Sequence, residues 1–379
     1  MGISDAIGFG RLAVQGVRGL TDAVESMHST IASFSPVVGA PRTSRTWGFT
    51  RLVYQAIRGV TSLVGGGVEL AAALASVEDE PPSSPRREVM LSVLNGVVGD
   101  HLVATNNPLA MPMRLHVNPH TAIPDPTGRI LLLVHGLCAS HLHWTRNGRD
   151  HGALLAASNG FTPVYASYNS GRHISTNGRD LAAAIETLVA DWPVPVEEVV
   201  LLGHSMGGLV ARSACSVGAT HAWRTKLSHL ICIGSPHHGA PLERAGNFAQ
   251  TLLSISPYAA PIARLGNLRS AGVTDLRFGN VRDEDWNDVD AHHRHDPRAQ
   301  LALPDVRCYA IAATFGTVVG DAVDRLRGDG LVPVASALGQ HEDPAFRLGF
   351  HATHVVTKTG HLDLLDSLAV HEQLARWLT

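Results

Sequence analysis

Apolar residues near the amino terminus recur at helical spacing. Ile3, Ile7, Val14, Val17, Leu20, Val24, Met27 and Ile31 follow one another at intervals of threes, fours and one seven, which predicts an amphipathic helix broken by Pro36 and Pro41. A second segment runs from Phe49 to about Val77, with Leu52, Val53, Ala56, Ile57, Val60, Leu63 and Val64 on its apolar side. Arg58 and Glu69 bracket only ten residues of it, and Gly65-Gly66-Gly67 lies between them. A spanning helix needs about twenty apolar residues, so this is not read as a transmembrane segment. The pair either packs on the rest of the chain or a second subunit, or attaches to a membrane or lipid-body surface, or covers an acyl-binding groove. The run Glu78-Asp79-Glu80-Pro81-Pro82-Ser83-Ser84-Pro85 then reads as a linker.

Beyond it the pattern changes. A helix is expected over Val89–Asn107 and an edge strand over Met113–Val117. Ile130-Leu131-Leu132-Leu133-Val134 is a continuous apolar run, the mark of a strand buried on both faces of a parallel sheet. Helices at Gly152–Ser158 and Gly178–Asp191 alternate with strands at Thr162–Tyr168, Val199–Leu202, Leu230–Ile233, Val306–Ala313 and Arg347–Val356, and a helix from Leu364 to Leu378 closes the chain. This rhythm predicts an α/β fold, a mostly parallel sheet with helices on both faces. It is interrupted over about 241–304, read as a cap above the site. The expected division is an amino-terminal helical extension and linker over 1–84 and a catalytic domain over 85–379.

Between the fourth predicted strand and its helix lies Gly203-His204-Ser205-Met206-Gly207-Gly208. Gly-x-Ser-x-Gly at a strand-to-helix turn suits a serine in a strained conformation, since a Cβ at either glycine would collide with its neighbours. The helix amino terminus there favours developing negative charge. Serine is a poor nucleophile until a base takes its proton and a third group orients the base. The strand–serine–helix turn resembles that of α/β-hydrolases, in which the acid and then the histidine follow the serine along the chain, and this order selects among 22 histidines. His361 follows the last strand and precedes the closing helix. Asp329 sits between Gly328 and Gly330, ahead of an anchoring Leu331-Val332, and is preferred to Asp324 and Asp321, which lie beside Arg325 and Arg327. The oxyanion donors are expected to be the N–H groups of Leu137 and Met206. His135, Gly136, His204 and Asn169 are candidate substrate contacts at strand ends.

His135-Gly136-Leu137, the serine turn, Ser235-Pro236-His237-His238-Gly239-Ala240, Asp329-Gly330-Leu331-Val332 and His361-Leu362-Asp363 together resemble the α/β-hydrolase superfamily over roughly residues 90–379. Within it they look like bacterial triacylglycerol lipases and GPI inositol-deacylase-like hydrolases. The resemblance implies an α/β-hydrolase fold, a triad of Ser205, Asp329 and His361, and hydrolysis of lipid carboxylic esters. Many such lipases hold a structural calcium near the triad histidine. Asp363 matches one ligand position, but Ser367 stands where a longer amide ligand would be expected, so no metal is expected.

Composition narrows this reading. At 379 residues with 45% hydrophobic and 17% charged residues, the chain can bury a large core. A net charge of −3 gives no argument for nucleic acid. The basic residues are arginine except for Lys226 and Lys358. The histidines at 292, 293 and 295 match no structural zinc spacing. Four cysteines in apolar stretches, with no C-x-x-C pair and no signal peptide at Met1–Asp5, suggest a cytoplasmic protein, or one peripheral to a membrane or lipid body. No cofactor is expected. A thioesterase, a polyester depolymerase or an acyltransferase would use the same residues, and a non-catalytic lipid-surface coat protein is the rival outside enzymology.

Overall fold

The computed structural model describes residues 2–32, 48–74, 84–117, 126–240, 270–287, 301–318 and 328–379. It divides into two compact units, one of residues 1–84 with 104–109 and one of 85–103 with 110–379.

The larger unit is built on a seven-stranded sheet in the order β1-β3-β2-β4-β5-β6-β7. The strands are β1 Arg114–Val117, β2 Arg129–Val134, β3 Thr162–Ser167, β4 Glu198–His204, β5 Leu227–Ile233, β6 Arg307–Thr314 and β7 Ala352–Thr357. β1 is antiparallel to β3, and the remaining pairs are parallel. In register, Leu132 lies between Val164 and Leu201. Alternation sends Leu132, Val164, Leu201 and Leu230 to one face, under Leu181 and Ile185 of α5 (Ile174–Ala190) and Leu209 and Val210 of α6 (Met206–Val217). Leu131, Leu133, Val200 and Ile231 go to the other, under Leu155 of α4 (His151–Asn159) and Val370 and Leu374 of the closing helix, Leu368–Trp377. The sheet and its two helical layers are the α/β-hydrolase fold.

Boundaries moved where caps decide them. The helix expected over 89–107 is α3, which runs Pro85–Ala104 with a break at Val98. The closing helix starts at Leu368 because Ser367 accepts from the Val370 N–H as its cap, and Asp363–Leu365 forms a separate 3-10 turn. β7 begins at Ala352, five residues later than expected, after a 3-10 turn at Pro344–Phe346. Within the expected cap, Ala271–Phe278 is helical. Residues 241–269 and 288–300, with the histidines at 292, 293 and 295, lie outside the described residues, as do Asp321 and Asp324. The four cysteines are buried and free.

The smaller unit is an antiparallel helical pair, α1 (Ile3–Ala32) and α2 (Gly48–Leu74). Val14 meets Gly65, and Val68 meets Gly10, where the glycines leave room for them. Arg18 donates to the Ser62 hydroxyl, and Arg58 bonds Asp22 at 2.5 Å and the buried Glu25. Among the described residues no helix is long and apolar enough to cross a membrane.

Leu132 is wholly buried at the centre of the sheet. Leu132→Ala is expected to cost about 2–5 kcal/mol of unfolding free energy, read from urea midpoints.

Candidate active site

The site begins with a crossing of backbones. β4 runs into α6 with Ser205 between them at φ 55°, ψ −123°. A Cβ on Gly203 would come within 2.4 Å of the Gly208 nitrogen, and one on Gly207 within 2.0 Å of the Val134 carbonyl oxygen. The turn therefore closes only with glycine at both places. Ser205 carries the backbone strain, of order 1–3 kcal/mol. It is held there by its N–H on the Ile233 carbonyl at 2.8 Å and by its own carbonyl, which accepts from Gly208 at 3.1 Å.

His361 stands on the loop after β7. Its Nδ1–H donates to Asp329 Oδ2 at 2.7 Å, and its main-chain N–H donates to the Asp329 carbonyl at 3.0 Å. The other carboxylate oxygen accepts from Leu331 N–H at 3.0 Å and Val332 N–H at 2.8 Å. Gly328 and Gly330, at φ 51° and 95°, allow the loop to fold back on its own aspartate. Both side chains are buried. With Nδ1 donating to the carboxylate, Nε2 of the neutral ring is the acceptor, as a general base requires.

Ser205, His361, Gly136, Leu137 and His204 line one cavity of about 230 Å³. Val89, Leu142, Leu362 and Leu365 supply apolar wall, while His143, Thr145 and Arg146 supply polar groups. A Cβ on Gly136 would stand 3.0 Å from the Ser205 Cβ, so glycine keeps the approach to the serine open. The N–H groups of Leu137 and Met206 have no hydrogen-bond acceptor among the described residues. Both belong to chain segments that flank Ser205.

Two expected substrate contacts are corrected. Asn169 is buried, donates Nδ2 to the Gly99 carbonyl at 2.9 Å and accepts from Gly171 N–H at 3.1 Å on Oδ1. It braces a turn and does not line the cavity. His135 is also outside the cavity wall. Its ring stacks on Tyr168 with centroids 4.3 Å apart, and its carbonyl accepts from the Tyr168 hydroxyl at 2.6 Å. Burial pushes its pKa down to about 3. Of the histidines at 237 and 238, His237 is buried and accepts at 3.1 Å from Nη1 of Arg212 on α6, the helix that follows the serine turn.

The segment after β2 was missed. Its 3-10 turn, His141–Trp144, and the following turn supply Leu142, His143, Thr145 and Arg146 to the cavity. The signal available was position alone, directly downstream of His135-Gly136-Leu137 on the same sheet edge. Asp363 accepts from Arg146 Nη2 at 3.1 Å and from Gly360 N–H at 3.2 Å. Asp366 accepts from Asn147 at 2.5 Å on its carboxylate and from Arg149 on its main-chain carbonyl. His151 Nε2 donates to the Leu364 carbonyl at 2.9 Å. The turn at 146–151 thus grips the segment that follows His361.

Sheet order and serine turn define the class: this chain has the α/β-hydrolase fold. Residues 125–307 match the family of the PGAP1-like alpha/beta domain. No curated protein matches the chain. Similar solved structures include a Bacillus licheniformis lipase in mature form, at 20% identity and TM-score 0.44, covering 70% of this chain and 98% of that one. A Thermogutta terrifontis esterase is similar at 16% identity and TM-score 0.39, over 70% and 92% of the two chains. Bacillus subtilis naproxen esterase is similar at 13% and 0.41, over 79% and 100%. The fold assignment stands on the sheet and the turn rather than on these likenesses.

Burial lowers the pKa of His135, His204 and His237. All three stay neutral in the folded state while the unfolded chain protonates near its ordinary value of about 6.5. Stability is therefore complete above that pH and falls as pH drops below it, because the unfolded state binds more protons. For His135 the loss continues down to about 3. His135→Gln should flatten the dependence of unfolding free energy on pH between 6 and 4 by about 1.4 kcal/mol per pH unit, measured by urea titration.

Proposed function

We propose that the protein is a serine hydrolase of carboxylic esters of lipids, working through an acyl-enzyme on Ser205. The observation that carries this reading is the buried Asp329–His361 hydrogen bond of 2.7 Å beside a cavity that Ser205 also lines. Ser205 Oγ attacks the acyl carbonyl while His361 Nε2 takes its proton. Asp329 keeps Nδ1 protonated and offsets the imidazolium charge. The N–H groups of Leu137 and Met206 receive the oxyanion, each worth on the order of 3 kcal/mol at the transition state. His361 then gives its proton to the leaving alkoxide. Water, deprotonated by the same ring, releases the acid. The apolar wall formed by Leu137, Leu142, Leu362 and Leu365 supports an acyl chain as the group held. A thioester or polyester donor, or an alcohol acceptor, would use the same steps.

Ser205→Ala should lower turnover of p-nitrophenyl butyrate by 10³-fold or more, by order of magnitude. It should also abolish labelling by a fluorophosphonate probe and leave the thermal midpoint within a few degrees. Turnover retained in the folded variant would refute the assignment. Silence of the native chain toward probe and esters, with firm lipid binding, would favour the coat-protein reading.

A lipid surface is the partner proposed for the helical pair. Val60, Leu63 and Val64 are 63%, 78% and 55% exposed on α2, and Ile57 and Val17 are also exposed. The charges of Arg58, Asp22 and Glu25 are joined to one another. An uncharged apolar stripe with the charges joined elsewhere on the pair suits an interfacial helix that lies in, rather than spans, a lipid layer. The full chain should float with phosphatidylcholine vesicles, and the double variant Val60→Asp, Leu63→Asp should not, at unchanged helix content. Equal flotation of both would overturn this. So would a concentration-dependent dimer that the double variant dissociates, since the stripe would then face a second copy.

A further inference from the structure

His204 occupies the position directly before the serine and lines the cavity. Its ring also bonds within the chain. Nε2–H donates to the main-chain carbonyl of His361 at 3.1 Å, in a buried setting. The two rings lie 4.8 Å apart at a tilt of 44°, and Trp144 packs edge-on against the other side at 6.4 Å.

Among the described residues the other bonds of His361 run to Asp329, through the main-chain N–H and through Nδ1. Without His204, the base would be tied to its acid but not to the strand that carries the serine. The bond from His204 closes that gap, because β4 ends at His204 and Ser205 follows it. We propose that His204 is a positioning residue that holds His361 in register with Ser205 through the His361 carbonyl. This rests on the reading of Ser205 and His361 as nucleophile and base.

Two physical requirements support it. A reacting constellation has to be held to within about half an ångström, and a misplacement of about 1 Å can cost 10²-fold in rate. A carbonyl anchored by a buried donor meets the first. The second is charge. A cation this close to His361 would oppose the imidazolium formed as the serine attacks. Burial, with His361, His151 and His135 nearby, holds the His204 ring neutral. A neutral ring that donates from Nε2 supplies a hydrogen bond without a competing charge.

The test compares His204→Phe, which keeps a ring but has no donor, with His204→Gln, whose amide restores one. Each is measured on p-nitrophenyl butyrate and by the rate of fluorophosphonate labelling, with the labelled residue located by mass spectrometry. The expected result for His204→Phe is a 10- to 100-fold fall in kcat, about the cost of a misplaced base, with KM within twofold. Labelling of Ser205 should slow by the same factor, and His204→Gln should recover most of both. Unchanged kcat and labelling in folded His204→Phe would overturn the inference. So would a change confined to KM, or a loss that Gln does not rescue. If His204→Phe does not fold, His204→Asn replaces it. That amide is too short to reach the carbonyl, so it should be slow where Gln is fast, and equal rates for the two would overturn the inference. A native protein labelled at Ser205 while His204→Phe labels equally fast sinks only this inference. A native protein that takes no label sinks the underlying reading as well.

Discussion

The close crossing of β4 and α6 is the constraint on which the rest depends. Gly203 and Gly207 let the strand meet the helix at distances that no Cβ could tolerate. That contact forces Ser205 into its positive φ and leaves the side chain at the edge of the sheet. Once the turn is made, the N–H of Met206 is the first α6 donor without an acceptor among the described residues, and Gly136, just past the end of β2, lies close against the serine. Strain at one residue thus decides where the Ser205 side chain, the Met206 N–H and the opening of the cavity all fall. The sheet bears the cost, since parallel pairing on both sides of β4 over-determines its position.

Asp329 and His361 reach the same edge through different strands. β6 and β7 end beside each other, with Thr314 paired to Thr357, so the loops after them start as neighbours. Asp329 and His361 then bond by side chain and main chain at once, which holds the two segments together as a unit. A buried carboxylate needs such compensation: one oxygen takes the imidazole and the other takes two amides. The polar wiring around the site therefore stabilises the fold in the same act as it orients the ring.

What could be read from the chain was whatever depends on neighbours in sequence. The serine turn, the buried run at Ile130 and the glycines around Asp329 are local statements, and the structure has a turn, a strand and a folded-back loop there. Asn169 and His135 could not be read this way. Asn169 is a brace because Gly99, 70 residues away, leaves the space its amide fills. His135 is withdrawn from the cavity because Tyr168 offers a face to stack on. Polar residues at strand ends are equally suited to substrate and to turn, and only the distant partner decides. The same holds for His204, whose acceptor lies 157 positions away.

The amino-terminal helices show the limit of periodicity most clearly. A 3.6-residue period says that a helix has two faces, not which of them meets a partner. On α2 the side against α1 carries Tyr54, Arg58, Thr61 and Gly65, and the apolar Val60, Leu63 and Val64 point away from it. The seam itself is mixed, with Val14 against Gly65 and Val68 against Gly10 beside the ion pairs of Arg58. Leaving Val60, Leu63 and Val64 in water costs about 25 cal/mol per Å² of apolar surface, and the lipid attachment proposed above would remove that cost. Which apolar residues enter the seam and which stay outside is invisible in hydropathy and follows only from knowing which residues meet across it.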